Sequence, residues 1–357
     1  MLKIEMLTER LSARKFSGSF TRDKPDLTSR LLLRGLHAAS QRRRKHRQTL
    51  KAPQAAPVIP HTVSAASLAY IRRLTNRPSF PMRLSALPLK RVIDLRVPGA
   101  AELRPARLYI PYGKVRGVVL FLHGGGFVHC GLNSHHGICC RLARASGAAV
   151  LSFDYSLAPE HKFPAAVEDV WAAFNWLASE AWRWGGAVAV AGDSAGGTLA
   201  AVLCQKVREA HRSGANPSPP APVMQVLYYP ATLGREETPS REKFAHGYFL
   251  TKAMMEWYGS QYASSDEDLL NPDFAPALQK DLSGLPSAWI MTAECDPLRD
   301  EGALYGRRLA EAGNVVSYTC VRGTLHGFLQ FYPMMRKARW VLHQSGRALR
   351  AVFRARK

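Results

Sequence analysis

Six short apolar runs, spaced along the chain with helical stretches between several of them, constrain this sequence more than any other feature. They are Gly117 to Leu122, Ala148 to Phe153, Ala187 to Ala191, Met224 to Tyr229, Ala288 to Thr292 and Val315 to Val321. Runs of this length and continuity read as strands buried on both faces. Ala165 to Ala178 and Ala195 to Ala210 have helical spacing. Strand, helix, strand, helix implies an α/β architecture with a mostly parallel sheet covered on both sides. Ahead of it, Val92 to Ile110 alternates like antiparallel strands, and Ala65 to Leu74 reads as a helix followed by loops at Pro78, Pro81 and Pro88.

One interval breaks the alternation. Between the run ending near Pro230 and the one starting at Ala288 lies a long insertion with a helical stretch, Thr251 to Tyr262, that carries Met254, Met255 and Trp257. Insertions at the carboxyl ends of strands in open α/β sheets commonly lie over the ligand crevice, so this one reads as a cap.

The charge is unevenly placed. Of the formal +22, residues 1–51 carry +10 and residues 333–357 carry +8, leaving +4 for everything between. A run such as Arg42-Arg43-Arg44-Lys45-His46-Arg47 reads as a solvated, partly disordered arm, with weak peripheral contact to anionic membrane as its functional alternative. No zinc-finger spacing or aromatic ribonucleoprotein motif accompanies it, so nucleic acid is not expected as a partner. No apolar run is long enough for a membrane span, and the first residues lack a secretory signal. Six cysteines without a C-x-x-C pair read as reduced thiols, which points to the cytoplasm. His135 and His136, side by side, cannot both face one ion in a regular element, and neither a metal nor a cofactor is expected.

Gly192-Asp193-Ser194-Ala195-Gly196 fits G-x-S-x-G between an apolar run and a helical stretch. That strand-turn-helix context is what holds a serine in a tight elbow with its Oγ accessible. A nucleophilic serine needs a base, a group that orients the base, and donors for the oxyanion. His326 follows the last apolar run in a Gly-punctuated loop and is the candidate base. Asp296 lies just past the run Ala288 to Thr292 and is the first choice as orienting carboxylate, with Asp300 second. The motif His123-Gly124-Gly125-Gly126-Phe127 follows a strand, so its backbone N–H groups can face the crevice together with that of Ala195.

These blocks, with Asp154 to His161, Phe163 to Ala166, Asp296 to Gly302 and His326 to Phe328, resemble the hormone-sensitive-lipase family of carboxylic ester hydrolases. The resemblance covers roughly residues 90–345 and implies an α/β-hydrolase fold with a helical cap. It implies Ser194, Asp296 and His326 as a catalytic triad, and Gly125, Gly126 and Ala195 as oxyanion donors. Its expected substrate is a small acyl ester of short to medium chain length, with no cofactor. Amide, lactone or carbamate hydrolysis would use the same machinery. The implied division is a basic extension over 1–55, an N-terminal part of the cap over 56–90, a catalytic domain over 91–230 and 276–357, and a cap insertion over 231–275. Ser156 stands where the family usually has Arg, and Thr198 where Asn is common.

Overall fold

The computed structural model describes residues 23–48, 64–77, 86–215 and 218–355. Its strands are β1 (Arg91–Pro98), β2 (Leu103–Ile110), β3 (Val118–Leu122), β4 (Ala149–Phe153), β5 (Val188–Asp193), β6 (Gln225–Tyr228), β7 (Ala288–Cys295) and β8 (Val316–Leu325). They form a single sheet in the order β1-β2-β4-β3-β5-β6-β7-β8. β2 runs antiparallel to both β1 and β4, while the strands from β4 to β8 are parallel.

The helices are α1 (Leu27–Gln48), α2 (Ala65–Thr75), α3 (His136–Ser146), α4 (Ala165–Glu180), α5 (Ala195–Arg212), α6 (Pro239–Lys243), α7 (Lys252–Tyr262), α8 (Arg299–Glu311) and α9 (Arg336–Ala355). Alternation along β3 divides its side chains between two cores. Val118, Leu120 and Leu122 pack with Phe174 of α4, Leu199 of α5 and Leu309 of α8. Val119 and Phe121 pack with Ile138 and Leu142 of α3 and Val341 of α9. Because both faces are covered, every residue of β3, β4, β5, β6 and β7 is buried, which is why these strands appear in the sequence as unbroken apolar runs. Each fully buried Val, Leu or Phe contributes about 1.5–3 kcal/mol.

Of the basic extension before residue 55, expected as a solvated arm, residues 23–29 are docked on the body, while the described side chains from Arg30 to Gln41 are exposed or half-buried. Residues 27–48 are helical, and the segment entering the helix is docked on the body. The Asp26 N–H donates to Gly323 O at 3.0 Å and Ser29 Oγ donates to the same carbonyl at 2.7 Å. Lys337 Nζ lies 2.6 Å from Asp26 Oδ2, and Arg299 Nη1 lies 2.6 Å from Asp23 Oδ1. The physical reason is complementarity: the acids Asp23 and Asp26 of this basic segment meet cations of the body, and Ser29 is fully buried. Residues 1–22 and 49–63, and the side chains of the run Arg42 to Arg47, lie outside the described residues. Among the described residues no helix is long and apolar enough to cross a membrane.

Candidate active site

β5 delivers Asp193 and turns at once into α5, with Ser194 at the turn holding φ 53° and ψ −122°. A non-glycine residue in such a conformation costs about 1–3 kcal/mol and persists where its surroundings over-determine it. Here the Ser194 N–H donates to Tyr228 O at 2.9 Å. The flanking glycines are required by space. A Cβ on Gly192 would stand 2.2 Å from Gly196 O, and one on Gly196 would stand 2.0 Å from Leu122 O.

Ser194, Asp296 and His326 follow the carboxyl ends of β5, β7 and β8, the edge where open α/β sheets gather ligands. His326 Nε2 lies 2.9 Å from Ser194 Oγ, and His326 Nδ1 lies 2.7 Å from Asp296 Oδ2. The second oxygen of Asp296 accepts the Leu298 N–H at 2.9 Å, and the residue is fully buried. Asp300, the second choice, is committed elsewhere: Oδ2 accepts the Ser240 N–H at 2.8 Å and Oδ1 lies 2.7 Å from Arg299 Nε.

The glycine loop after β3 has divided roles. The Gly124 N–H donates to Asp193 Oδ1 at 2.9 Å, tying the loop to the serine elbow. Gly125 at φ 123° and Gly126 at φ 60° line a cavity together with Ser194, Ala195 and His326. A Cβ on Gly125 would meet His129 O at 2.1 Å, and one on Gly126 would meet the Tyr258 ring at 2.3 Å. His123 is a scaffold residue: fully buried, its ring stacks on Tyr155 at 4.4 Å, and its carbonyl accepts the Tyr155 hydroxyl at 2.6 Å.

Sequence reasoning passed over Asp193 and His135. Asp193 Oδ1 also faces His135 Nε2 at 3.0 Å, and both residues are buried. Burial alone would raise the Asp193 carboxyl, but His135 and the Gly124 amide outweigh it and hold the group below the ordinary carboxylate value. His135 Nδ1 lies 2.8 Å from Ser134 Oγ, and the Gln330 side-chain amide, just beyond His326 in the chain, lies 2.6 Å from His135 Nε2. One buried cluster therefore touches the glycine loop, the elbow and the turn after the candidate base. The available signal was the Asp inside G-x-S-x-G, a position the pattern leaves free.

The cavity measures about 1670 Å³. Ile71 and Leu74 of α2, Met254, Met255 and Tyr258 of α7, and Phe249 line it above the serine. α2 is held there by Arg72, whose Nε donates to Val128 O at 2.8 Å and whose Nη2 donates to Ala158 O at 2.8 Å and pairs with Glu160 at 2.7 Å. α7 is held by the Tyr262 ring stacked on Phe127 at 3.9 Å and by Tyr258 Oη, 2.7 Å from His129 Nε2. Thr198, at a position where Asn is common in the family it resembles, donates through Oγ1 to Ala231 O at 2.6 Å and so ties α5 to the start of the insertion.

Comparison with known proteins agrees with this architecture. A family described by the alpha/beta hydrolase fold matches residues 119–330. Carboxylic ester hydrolase LipN of Mycobacterium tuberculosis is 43% identical over 68% of this chain, which spans 65% of that protein's length. Esterase LipI of the same organism is 38% identical over 79% of this chain and 87% of its own. Among solved structures, the hyperthermophilic esterase from the archaeon Pyrobaculum calidifontis is 40% identical, with a TM-score of 0.74 over 80% of this chain and 93% of that one. This chain belongs to the α/β-hydrolase family, in its hormone-sensitive-lipase branch of carboxylic ester hydrolases.

Proposed function

We propose that the chain hydrolyses short- to medium-chain acyl esters with Ser194 as nucleophile, His326 as general base and acid, and Asp296 as the group that orients His326. Ser194 Oγ attacks the ester carbonyl carbon while its proton passes to His326 Nε2. Asp296 accepts from His326 Nδ1, fixing the tautomer and stabilising the imidazolium. The tetrahedral oxyanion is received by the N–H groups of Gly125, Gly126 and Ala195, each such donor being worth about 10²–10³ in rate. His326 then protonates the departing alcohol, and water repeats the sequence on the acyl-enzyme, returning the acid and free Ser194.

What supports this reading is the unbroken contact chain of 2.9 Å from Oγ to imidazole and 2.7 Å from imidazole to carboxylate. In the same reading, α2 and the insertion over residues 231–275 form a cap whose Phe249, Met254 and Met255 contact the acyl group.

The test is a p-nitrophenyl ester series from acetate to palmitate with the parent chain and Ser194→Ala. The variant is expected to lose about 10⁶-fold in kcat, and the parent to prefer butyrate to octanoate over palmitate. Full activity in Ser194→Ala would refute the nucleophile, and a palmitate optimum would refute the chain-length assignment.

A further inference from the structure

Ester hydrolysis leaves the charge of the C-terminal segment unused. Residues 333–357 carry eight Lys and Arg and no acid. The fold places part of this charge in a second concavity, a groove of about 660 Å³ between α3, α9 and the segment at Leu87. Six arginines line it: Arg141 and Arg144 from α3, and Arg339, Arg347, Arg350 and Arg354 from α9. His343 joins them, and among the described residues no carboxylate contributes to the lining. On α9 the basic positions 339, 343, 347, 350 and 354 recur in steps of three or four, which puts them on one stripe of the helix. At 1.5 Å per residue that stripe is about 22 Å long.

Several arginines elsewhere in the molecule are neutralised by carboxylates. Arg107 pairs with Asp94, Arg212 with Asp281 and Arg241 with Glu301. In the groove, Arg144, Arg339, Arg347, Arg350 and Arg354 form no ion pair with a carboxylate among the described residues. The protein partners of Arg144, Arg339 and Arg350 are neutral carbonyls. Arg350 donates from Nε to Ser146 O at 3.3 Å and from Nη2 to Arg144 O at 3.1 Å. Arg339 Nη1 donates to Tyr332 O at 2.8 Å and to Pro333 O at 3.0 Å, and Arg144 Nη1 donates to Pro88 O at 3.2 Å.

Such bonds orient the guanidiniums without cancelling their charge, and each guanidinium has five N–H donors, most of them left for another acceptor. The crowding is felt within the cluster: burial first, and then the charge of Arg339, lower the pKa of Arg141. Guanidinium forks match phosphate oxygens two at a time. A stripe of this length exceeds one phosphate several-fold, and the concave shape between two helices suits a discrete molecule better than the flat surface of a bilayer.

We propose that the α3–α9 groove binds a small molecule carrying at least two phosphate groups. This site is separate from the Ser194 cavity, so its test stands apart from the hydrolytic reading. Sodium tripolyphosphate titrated calorimetrically into the full chain at roughly 0.15 M salt is expected to give saturable binding. It should bind at least about tenfold more tightly than orthophosphate, because several forks are engaged at once.

Arg347 and Arg354 are exposed on α9, and the double variant Arg347→Ala, Arg354→Ala should weaken tripolyphosphate binding by about tenfold or more. Its p-nitrophenyl ester hydrolysis should stay at the parent level, which reports an intact fold. Absence of saturable binding, orthophosphate bound as tightly, or an affinity unchanged in the double variant would each overturn the proposal. So would capture by phosphatidylserine-containing vesicles without affinity for tripolyphosphate.

Discussion

Asp193 stands one residue before the serine and joins two loops through a single oxygen, which takes the Gly124 N–H at 2.9 Å and faces His135 at 3.0 Å. Its carboxyl lies below the ordinary value of 3.8, so between the folded and ordinary values the unfolded chain binds more protons than the folded one. Stability therefore rises with pH through that window, is fully present above it, and is lost as pH falls through the folded value. Replacing Asp193 by Asn removes the carboxylate charge that accepts the Gly124 N–H and faces His135. The variant should lose about 1.5–3 kcal/mol at neutral pH, with the deficit shrinking below the window. Urea denaturation at a series of pH values would show this, and a deficit independent of pH would disprove it. Ser194, Asp296 and His326 were legible because chain order and strand ends locate them. Asp193 and His135 were not, because a buried pair shows no periodicity and the two adjacent histidines, His135 and His136, raise only the question of a shared metal.

At the scale of elements, α4 and α5 were legible because their apolar residues recur with helical spacing over 16 and 18 residues. α3 and α8 were not singled out, and glycines explain part of the difference. Gly137 in α3 is where a Cβ would meet Tyr332 Oη at 1.8 Å, and Gly302 in α8 is where one would meet Thr292 Cγ2 at 2.7 Å. Close packing thus places glycine, a residue unfavourable to a helix, inside each helix. The joint between α8 and the insertion was equally invisible in the sequence. Arg241, on α6, lies 2.6 Å from Glu301 Oε2, and Glu301 Oε1 accepts the Thr232 N–H at 2.6 Å, both side chains being buried. Arg241→Ala strands a buried carboxylate and should cost about 3–5 kcal/mol. Adding Glu301→Gln should recover part of that, since the amide still accepts from Thr232 without a charge. Thermal melts of the three chains decide it, and a single variant as stable as the parent would show the joint to be energetically idle. The glycine loop permits a second test: Gly126→Ala forces a side chain toward Tyr258 at φ 60°. With Gly126 acting as the proposed oxyanion donor, kcat should fall about 10²-fold, and unchanged kinetics would remove Gly126 from that proposal.

Across the whole molecule, the layered sheet could be foreseen from six apolar runs, whereas the docking of the N-terminal segment could not, because its contacts span some three hundred residues of chain. The segment acts on the carboxyl edge of the sheet from outside. Both the Asp26 N–H and Ser29 Oγ bond to the carbonyl of Gly323, three residues before His326, and Gly323 itself sits at φ 67° where a Cβ would meet Asp26 at 2.9 Å. Two hydrogen bonds at about 1 kcal/mol each and the partly exposed Asp23–Arg299 and Asp26–Lys337 pairs at about 0–1 kcal/mol each make the docking worth roughly 2–4 kcal/mol. A chain lacking residues 1–48 should therefore melt several degrees lower. Because the freed carbonyl loosens the turn that presents His326 and leaves the cavity walls of α2 and α7 in place, kcat should fall while KM is retained. A solvated appendage would predict coincident melts and identical kinetics for the two chains, and that result would end the assignment of a positioning role to this segment.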